Sequence, residues 1–300
     1  MMRNGIFKAI FRRGMILSVA IAMLFSTALI TGCDSLTGNS YGGSKAGSAV
    51  QRRYFGNQLD SDIARMIYDE MVQRYFVNQE EAQEMEITFP EPLSFEVYLP
   101  DNWDNDYFQQ TVKNNADYNR YRELIARSVT SAFTAFGWDY PVVYWIYWFD
   151  YSYSYNGELT GNDYKGHFDS VKINCTTPYD NAYADRNRVN RNIASAVSAI
   201  RSMAEDDSRY ATLRAIHDYI SLNADYDYTA AASSSSAYHY AYTAAPLFNG
   251  IGTMVCEGYA KTFKVLCDEF EISCLIIEGN AFSYNTQSWE GHAWNYVRMD

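Results

Sequence analysis

The residues with the greatest chemical capacity in this sequence are a cysteine and a histidine, each set beside glycine. Gly250, Gly252 and Val255-Cys256-Glu257-Gly258-Tyr259-Ala260 open a segment in which Ala260, Phe263, Cys267 and Phe270 recur at three- and four-residue steps, the spacing of one helix face. Cys256 then stands in the first helical turn, where free amides and the positive end of the helix dipole stabilise a thiolate. Gly291-His292-Ala293-Trp294-Asn295-Tyr296-Val297 supplies a base. It alternates as a strand does, with His292, Trp294 and Tyr296 on one face and Ala293, Asn295 and Val297 on the other. Thiol and imidazole within hydrogen-bond reach would make a nucleophile and general base for acyl transfer at an amide bond. Tyr259, just after the cysteine, and Trp294, able to shield the imidazole from water, are candidates for shaping the site.

The elements that must hold this pair can be read around it. Cys274-Leu275-Ile276-Ile277-Glu278-Gly279 is predicted as a short strand followed by a turn. Upstream, Asp185 to Met203 and Ser208 to Asn223 read as helices separated by Glu205-Asp206-Asp207, which marks either a domain seam or a tight turn; Ala230 to Ala237, with four serines, reads as a loop. Further back, helices are expected over Asp60 to Gln79 and over Asn119 to Phe136, the second stopping at Gly137. Glu86 to Leu99 suggests a strand pair or an interrupted edge strand. Val142 to Tyr155 alternates Val143, Trp145, Tyr147, Phe149, Tyr151, Tyr153 and Tyr155 with residues that turn polar, and reads as a core strand; the other reading is an aromatic platform for sugars or extended peptides. Asp169 to Thr176 would pair with it and bury Cys175. His167, His217 and His239 read as surface or packing residues.

Composition narrows the compartment and the partners. A chain with 48% hydrophobic and 20% charged residues can bury a sizeable core, and a formal charge of -12 with a pI near 4.8 argues against nucleic acid as a partner. Arg3, Lys8, Arg12 and Arg13 precede an uncharged stretch from Met15 to Ile30. That stretch is shorter than the roughly 20 residues of a helical span and reads as a secretory signal. Leu29-Ile30-Thr31-Gly32-Cys33 resembles the bacterial lipobox, which implies cleavage before Cys33 and a diacylglycerol anchor on it, with the protein on the extracytoplasmic face of a cell membrane. The Gly/Ser-rich residues that follow read as a tether. The expected organisation is a signal at 1–32, a tether at 33–57, a mixed helix/strand region at 58–204 and a thiol domain at 205–300. Cysteine spacing fits no metal site, and neither a metal nor a cofactor is expected.

Cys256-Glu257-Gly258-Tyr259-Ala260 with His292-Ala293-Trp294-Asn295 resembles the signature of the transglutaminase-like superfamily. Ile216-His217-Asp218-Tyr219-Ile220, Asp225-Tyr226-Asp227 and Tyr140-Pro141-Val142-Val143-Tyr144-Trp145 are similar to segments that precede the cysteine in its members. The resemblance covers Leu213 to Asp300 well and the earlier residues weakly. It implies an α+β class with a papain-like core, in which the cysteine helix packs on an antiparallel sheet, and a protein or peptide substrate. It also implies hydrolysis or amine transfer at an amide, as in a protease, an amidase or a transglutaminase. The family's third catalytic residue, an Asp on the strand after the histidine strand, is expected beyond Asp300, so the core is expected to be incomplete. Where members commonly carry Gly after the helix, this sequence has Glu271. The competing reading is a catalytically retired cell-surface scaffold that binds polypeptide or glycan.

Overall fold

The computed structural model describes residues 53–84, 94–99, 112–144, 148–161, 163–176, 182–233, 235–283 and 287–299. The signal segment, Cys33, the tether as far as residue 52, residues 86–93 of the first expected strand region, Trp145 and Tyr147 of the aromatic strand, and Asp300 lie outside them. No described helix is long and apolar enough to cross a membrane. Two compact units emerge, one within Phe55–Gly137 and Trp145–Tyr183, the other within Trp138–Tyr144 and Ala184–Asp300.

The first unit joins two long helices, α1 (Asp62–Glu84) and α2 (Asn115–Asp139), to a sheet of β1 (Ser94–Tyr98), β2 (Trp148–Thr160) and β3 (Asp163–Thr176) in the order β1-β3-β2, all antiparallel. Ile67, Tyr68 and Met71 of α1, Val129 and Ala132 of α2, and Val171 and Ile173 of β3 are fully buried. Gly137 does not stop α2. A glycine inside a helix costs only about 1 kcal/mol, and the helix instead ends where Tyr140 precedes Pro141, a position that disfavours helical backbone. The tyrosines of β2 engage neighbouring rings. Tyr118 meets Tyr155 at 5.2 Å, stacks on Tyr164 at 4.4 Å and lies 3.2 Å, hydroxyl to hydroxyl, from Tyr153. Cys175 is buried, and burial, helped by Asp150, pushes its thiol up to about 12.

The second unit carries α3 (Ala182–Met203), α4 (Arg209–Asn223), β4 (Asp225–Tyr226), α5 (Tyr228–Ala231), a 3-10 turn (Ser236–Tyr242), α6 (Ala245–Asn249), β5 (Thr253–Met254), α7 (Cys256–Glu269), β6 (Cys274–Ser283) and β7 (Ser288–Val297). The acidic run at 205–207 is a turn: Ser208 caps α4 by accepting from the Ala211 amide at 3.1 Å. Helix α3 groups with this unit because Asn192 donates to the Phe248 carbonyl and Arg201 lies 5.7 Å over the Phe270 ring. The residues expected as a loop at 230–237 supply the end of α5 and the start of the 3-10 turn.

β6 and β7 form an antiparallel pair running from Cys274 opposite Val297 to Ser283 opposite Ser288. The turn expected after Gly279 is instead continuous strand as far as Ser283. Gly279 makes room there: a Cβ on it would stand 2.7 Å from the Trp294 ring, so its bare backbone accepts the indole.

At the far end of α7 the chain reverses through Glu271, whose φ is 56°. The Ile272 amide donates to the Cys267 carbonyl at 2.9 Å and the Glu271 amide to the Asp268 carbonyl at 3.2 Å, a left-handed cap in which glycine is the unstrained residue. Glu271→Gly relieves about 1 kcal/mol of backbone strain and gives part of it back as extra freedom of the unfolded chain. The expected result is a midpoint for thermal unfolding raised by about 1–3 °C, read by circular dichroism. A fall would mean that the Glu271 side chain stabilises the cap by more than its backbone costs.

Candidate active site

Cys256 is the first residue of α7. Val255 before it is extended, with φ −96° and ψ 177°, and its side chain makes no capping hydrogen bond. Ser, Thr, Asp or Asn at this position would occupy a first-turn amide; valine has no acceptor to offer, which leaves the positive end of the helix facing the thiol. Val255 itself is fixed by its amide, which donates to the Ala241 carbonyl at 3.0 Å, and by packing with Ala230, Ala241 and Tyr242. Gly258 permits this approach. A Cβ there would lie 2.4 Å from the Ala241 carbonyl oxygen and 3.1 Å from that of Thr243, so the chain at 241–243 crosses the first turn of α7 only because residue 258 has no side chain.

A second connection brings an aromatic group to the cysteine. β4 pairs in parallel with β5, Tyr226 opposite Met254, with the Asp225 amide donating to Gly252 at 2.7 Å and the Asp227 amide to Met254 at 3.0 Å. The Tyr226 hydroxyl thereby stands beside Cys256, and its ionisation is pushed up first by burial and then by the charge of that thiol. Tyr242 is pushed up by burial and then by Glu257, Cys256 and Asp227. Neither phenol stands out in the sequence. Its one signal for Tyr226 was the Asp225-Tyr226-Asp227 run, because two-residue strands carry no periodicity.

Alternation in β7 decides which residues meet α7. Ala293 turns inward and packs with Ala260 and Ile276, with Cys256 against them. Asn295 does the same: its amide donates to the Ala260 carbonyl at 2.9 Å and to the Cys274 sulfur at 3.4 Å. His292, Trp294 and Tyr296 therefore occupy the opposite face. His292 is exposed, faces Gly279 across the strand pair and stacks on Trp294 with ring centroids 6.1 Å apart and planes 30° apart; Trp294 remains 41% exposed. Ala293 thus links the thiol to the His292 backbone, and among the described residues no hydrogen bond joins thiol to imidazole. Tyr259 lies beside Tyr226, its ring 6.3 Å away and nearly parallel to it.

The remaining thiols and imidazoles are occupied in other ways. Cys175, Cys256, Cys267 and Cys274 are all free, and the Cys267 thiol is pushed up by its neighbour Cys274 and by burial. His239 stacks on Tyr242, and burial, reinforced by Lys261, lowers it to about 3, so it stays neutral at physiological pH. His217 and His167 lie 3.0 Å from Asp218 and Asp169.

Two carboxylates share one ammonium near the first turn of α7. Glu257 is bonded to Lys261 at 2.5 Å, and Glu278, opposite Ala293 on β6, points the same way. Glu278 is exposed as a whole residue, while the protein atoms crowded around its carboxyl group oppose its charge. Burial and then the Glu257 charge push it up to about 7, while Lys261 and the Trp138 indole N–H act the other way. Between its ordinary value near 4.5 and about 7, folded Glu278 holds a proton that the unfolded chain releases, so stability falls as pH rises through that window. Glu278→Gln is expected to match the wild type at pH 4 and to exceed it in unfolding midpoint at pH 8. Equal midpoints at both pH values would contradict the assignment.

Known proteins bear on the chain as follows. A solved structure described as "Crystal structure of a TGase" is 13% identical, with a TM-score of 0.31, and the match covers 49% of this chain and 41% of that one. The chain thus spans less than half of that structure's length. A search of curated proteins gives no match. The family model described as the transglutaminase-like superfamily matches residues 196–300, the segment that contains Tyr226, Cys256, Tyr259, Glu278 and His292.

Proposed function

We propose that the chain is a thiol-dependent enzyme acting on amide bonds of proteins or peptides, with Cys256 as nucleophile and His292 as general base. The observation that carries the reading is Cys256 as first residue of α7, behind a valine that leaves the helix end uncapped, within a segment that matches the transglutaminase-like model. His292 takes the thiol proton as sulfur bonds to the carbonyl carbon. The oxyanion then accepts from the Cys256 amide, and the C–N bond breaks as His292 returns the proton to the leaving nitrogen. Water or a primary amine next attacks the thioester, giving hydrolysis or amine transfer, and frees the thiol. For the first transfer the imidazole must leave Trp294 and turn past the β7 backbone toward Ala293. We further propose an extracytoplasmic site of action through a lipid on Cys33, a claim that fails if mass analysis finds the mature N-terminus elsewhere.

The test is incubation with a glutamine-containing peptide, with and without a primary amine, followed by mass spectrometry. Cleavage, deamidation or amine incorporation that disappears in Cys256→Ala is the expected result; no reaction in the wild type would overturn it. One observation favours the second reading, a retired scaffold that binds polypeptide or glycan: the His292 ring stacks away from the thiol. That reading predicts ligand binding with no product.

A further inference from the structure

Three tyrosine rings and one carboxylate gather around β4, and one of the rings, Tyr226, stands beside the thiol. Tyr226 and Tyr228 have ring centroids 5.0 Å apart, and Tyr226 and Tyr259 are 6.3 Å apart with planes 18° apart. Tyr228 is 78% exposed and Tyr226 38%, so aromatic faces open to solvent beside a candidate nucleophile. Exposed aromatic rings cost free energy in water unless something covers them.

The charge beside the rings says what would cover them. Asp225 is exposed, and its charge acts on the Tyr259 hydroxyl. Nearby acids are already engaged: Glu257 by Lys261 at 2.5 Å, and Asp227 by the Ala230 amide at 2.8 Å. Among the described residues the Asp225 carboxylate takes no hydrogen bond and no ion pair. An aromatic face attracts a cation through its quadrupole, and a carboxylate at the edge of the rings adds a charge-assisted hydrogen bond. Neither favours an acidic side chain, and an uncharged one gains only area. The formal charge of -12 on the chain draws cations toward the same surface.

We propose that Asp225, Tyr226, Tyr228 and Tyr259 form a subsite for a cationic side chain, lysine or arginine, of the polypeptide whose amide Cys256 attacks. The subsite rests on the acyl-transfer reading for its placement next to the scissile bond. An ammonium held by a carboxylate is protonated and has no lone pair, so the group bound here selects the substrate and does not serve as the acyl acceptor.

The experiment separates the two claims by reading binding without turnover. The full chain carrying Cys256→Ala is titrated calorimetrically with capped hexapeptides that hold a central glutamine flanked by lysine, norleucine or glutamate. The lysine peptide is expected to bind about tenfold more tightly than its norleucine isostere. That preference should shrink to near unity in Asp225→Asn and fall severalfold in Tyr228→Ala. Equal affinities for the three peptides, a preference that survives Asp225→Asn, or no binding of any peptide at millimolar concentration would each overturn the subsite. Lysine-selective binding with no turnover by the unmutated chain removes the enzyme reading and leaves the subsite standing; turnover indifferent to the flanking residue does the reverse.

Discussion

Replacing Cys256 with alanine is expected to lower turnover of an amide substrate by at least about 10⁴-fold, the scale at which the nucleophile of an acyl-transfer enzyme is lost. The effect should fall on kcat. Alanine keeps the α7 backbone, and with it the uncapped amides that would hold a carbonyl oxygen, while removing the only atom at that position able to bond to carbon. Cys256 is only partly buried, at the margin of the packing formed by Ala260, Ile276 and Ala293, so the unfolding midpoint should move little. Loss of activity with preserved stability separates a chemical role from a packing role. Activity retained within tenfold would exclude Cys256 as the nucleophile.

The largest stability effect is expected at Lys264. This lysine is 3% exposed, and its ammonium lies 3.0 and 3.2 Å from the two carboxylate oxygens of Asp268, one helical turn on. On a solvated helix such a pair contributes only a few tenths of a kcal/mol. Here both side chains are largely out of water, at 4% and 11% exposure, so little solvent weakens the attraction. Lys264→Ala removes the cation and leaves the volume of a buried side chain unfilled. The expected loss is about 3–5 kcal/mol, measured by urea unfolding. Lys264→Met, which refills the volume, should recover the packing and not the charge. A loss below about 1 kcal/mol in the alanine variant would show that Asp268 is satisfied without Lys264.

Much of this architecture could be read from residue spacing, and the failures have physical causes. The start of α7 at Cys256 was legible because apolar residues recur at three- and four-residue steps from Ala260 onward. The strand character of residues 291–297 was legible from alternation. Alternation alone does not say which face is covered. A helix can approach a strand closely only over small side chains, and in β7 the small inward residues are Ala293 and Asn295, which leaves His292, Trp294 and Tyr296 outside. Gly137 reads as a helix stop and the residues after Gly279 as a turn, yet helix and strand both continue, Gly137 being tolerated in a long helix and Gly279 giving Trp294 space. Tyr226 could not be assigned to the site because its neighbourhood with Cys256 arises from a parallel pairing across a long connection.

The central claim is that Cys256 is an activated thiol and that His292 activates it. Alkylation with limiting iodoacetamide at neutral pH, followed by peptide mass mapping, tests this in one experiment, because all four described cysteines are free. Reaction depends on thiolate and on access. Cys256 is predicted to be modified well before Cys175, Cys267 and Cys274, and several-fold more slowly in His292→Ala. Slow labelling of Cys256 at a rate indistinguishable from the buried three, or a rate unchanged by His292→Ala, would contradict the account.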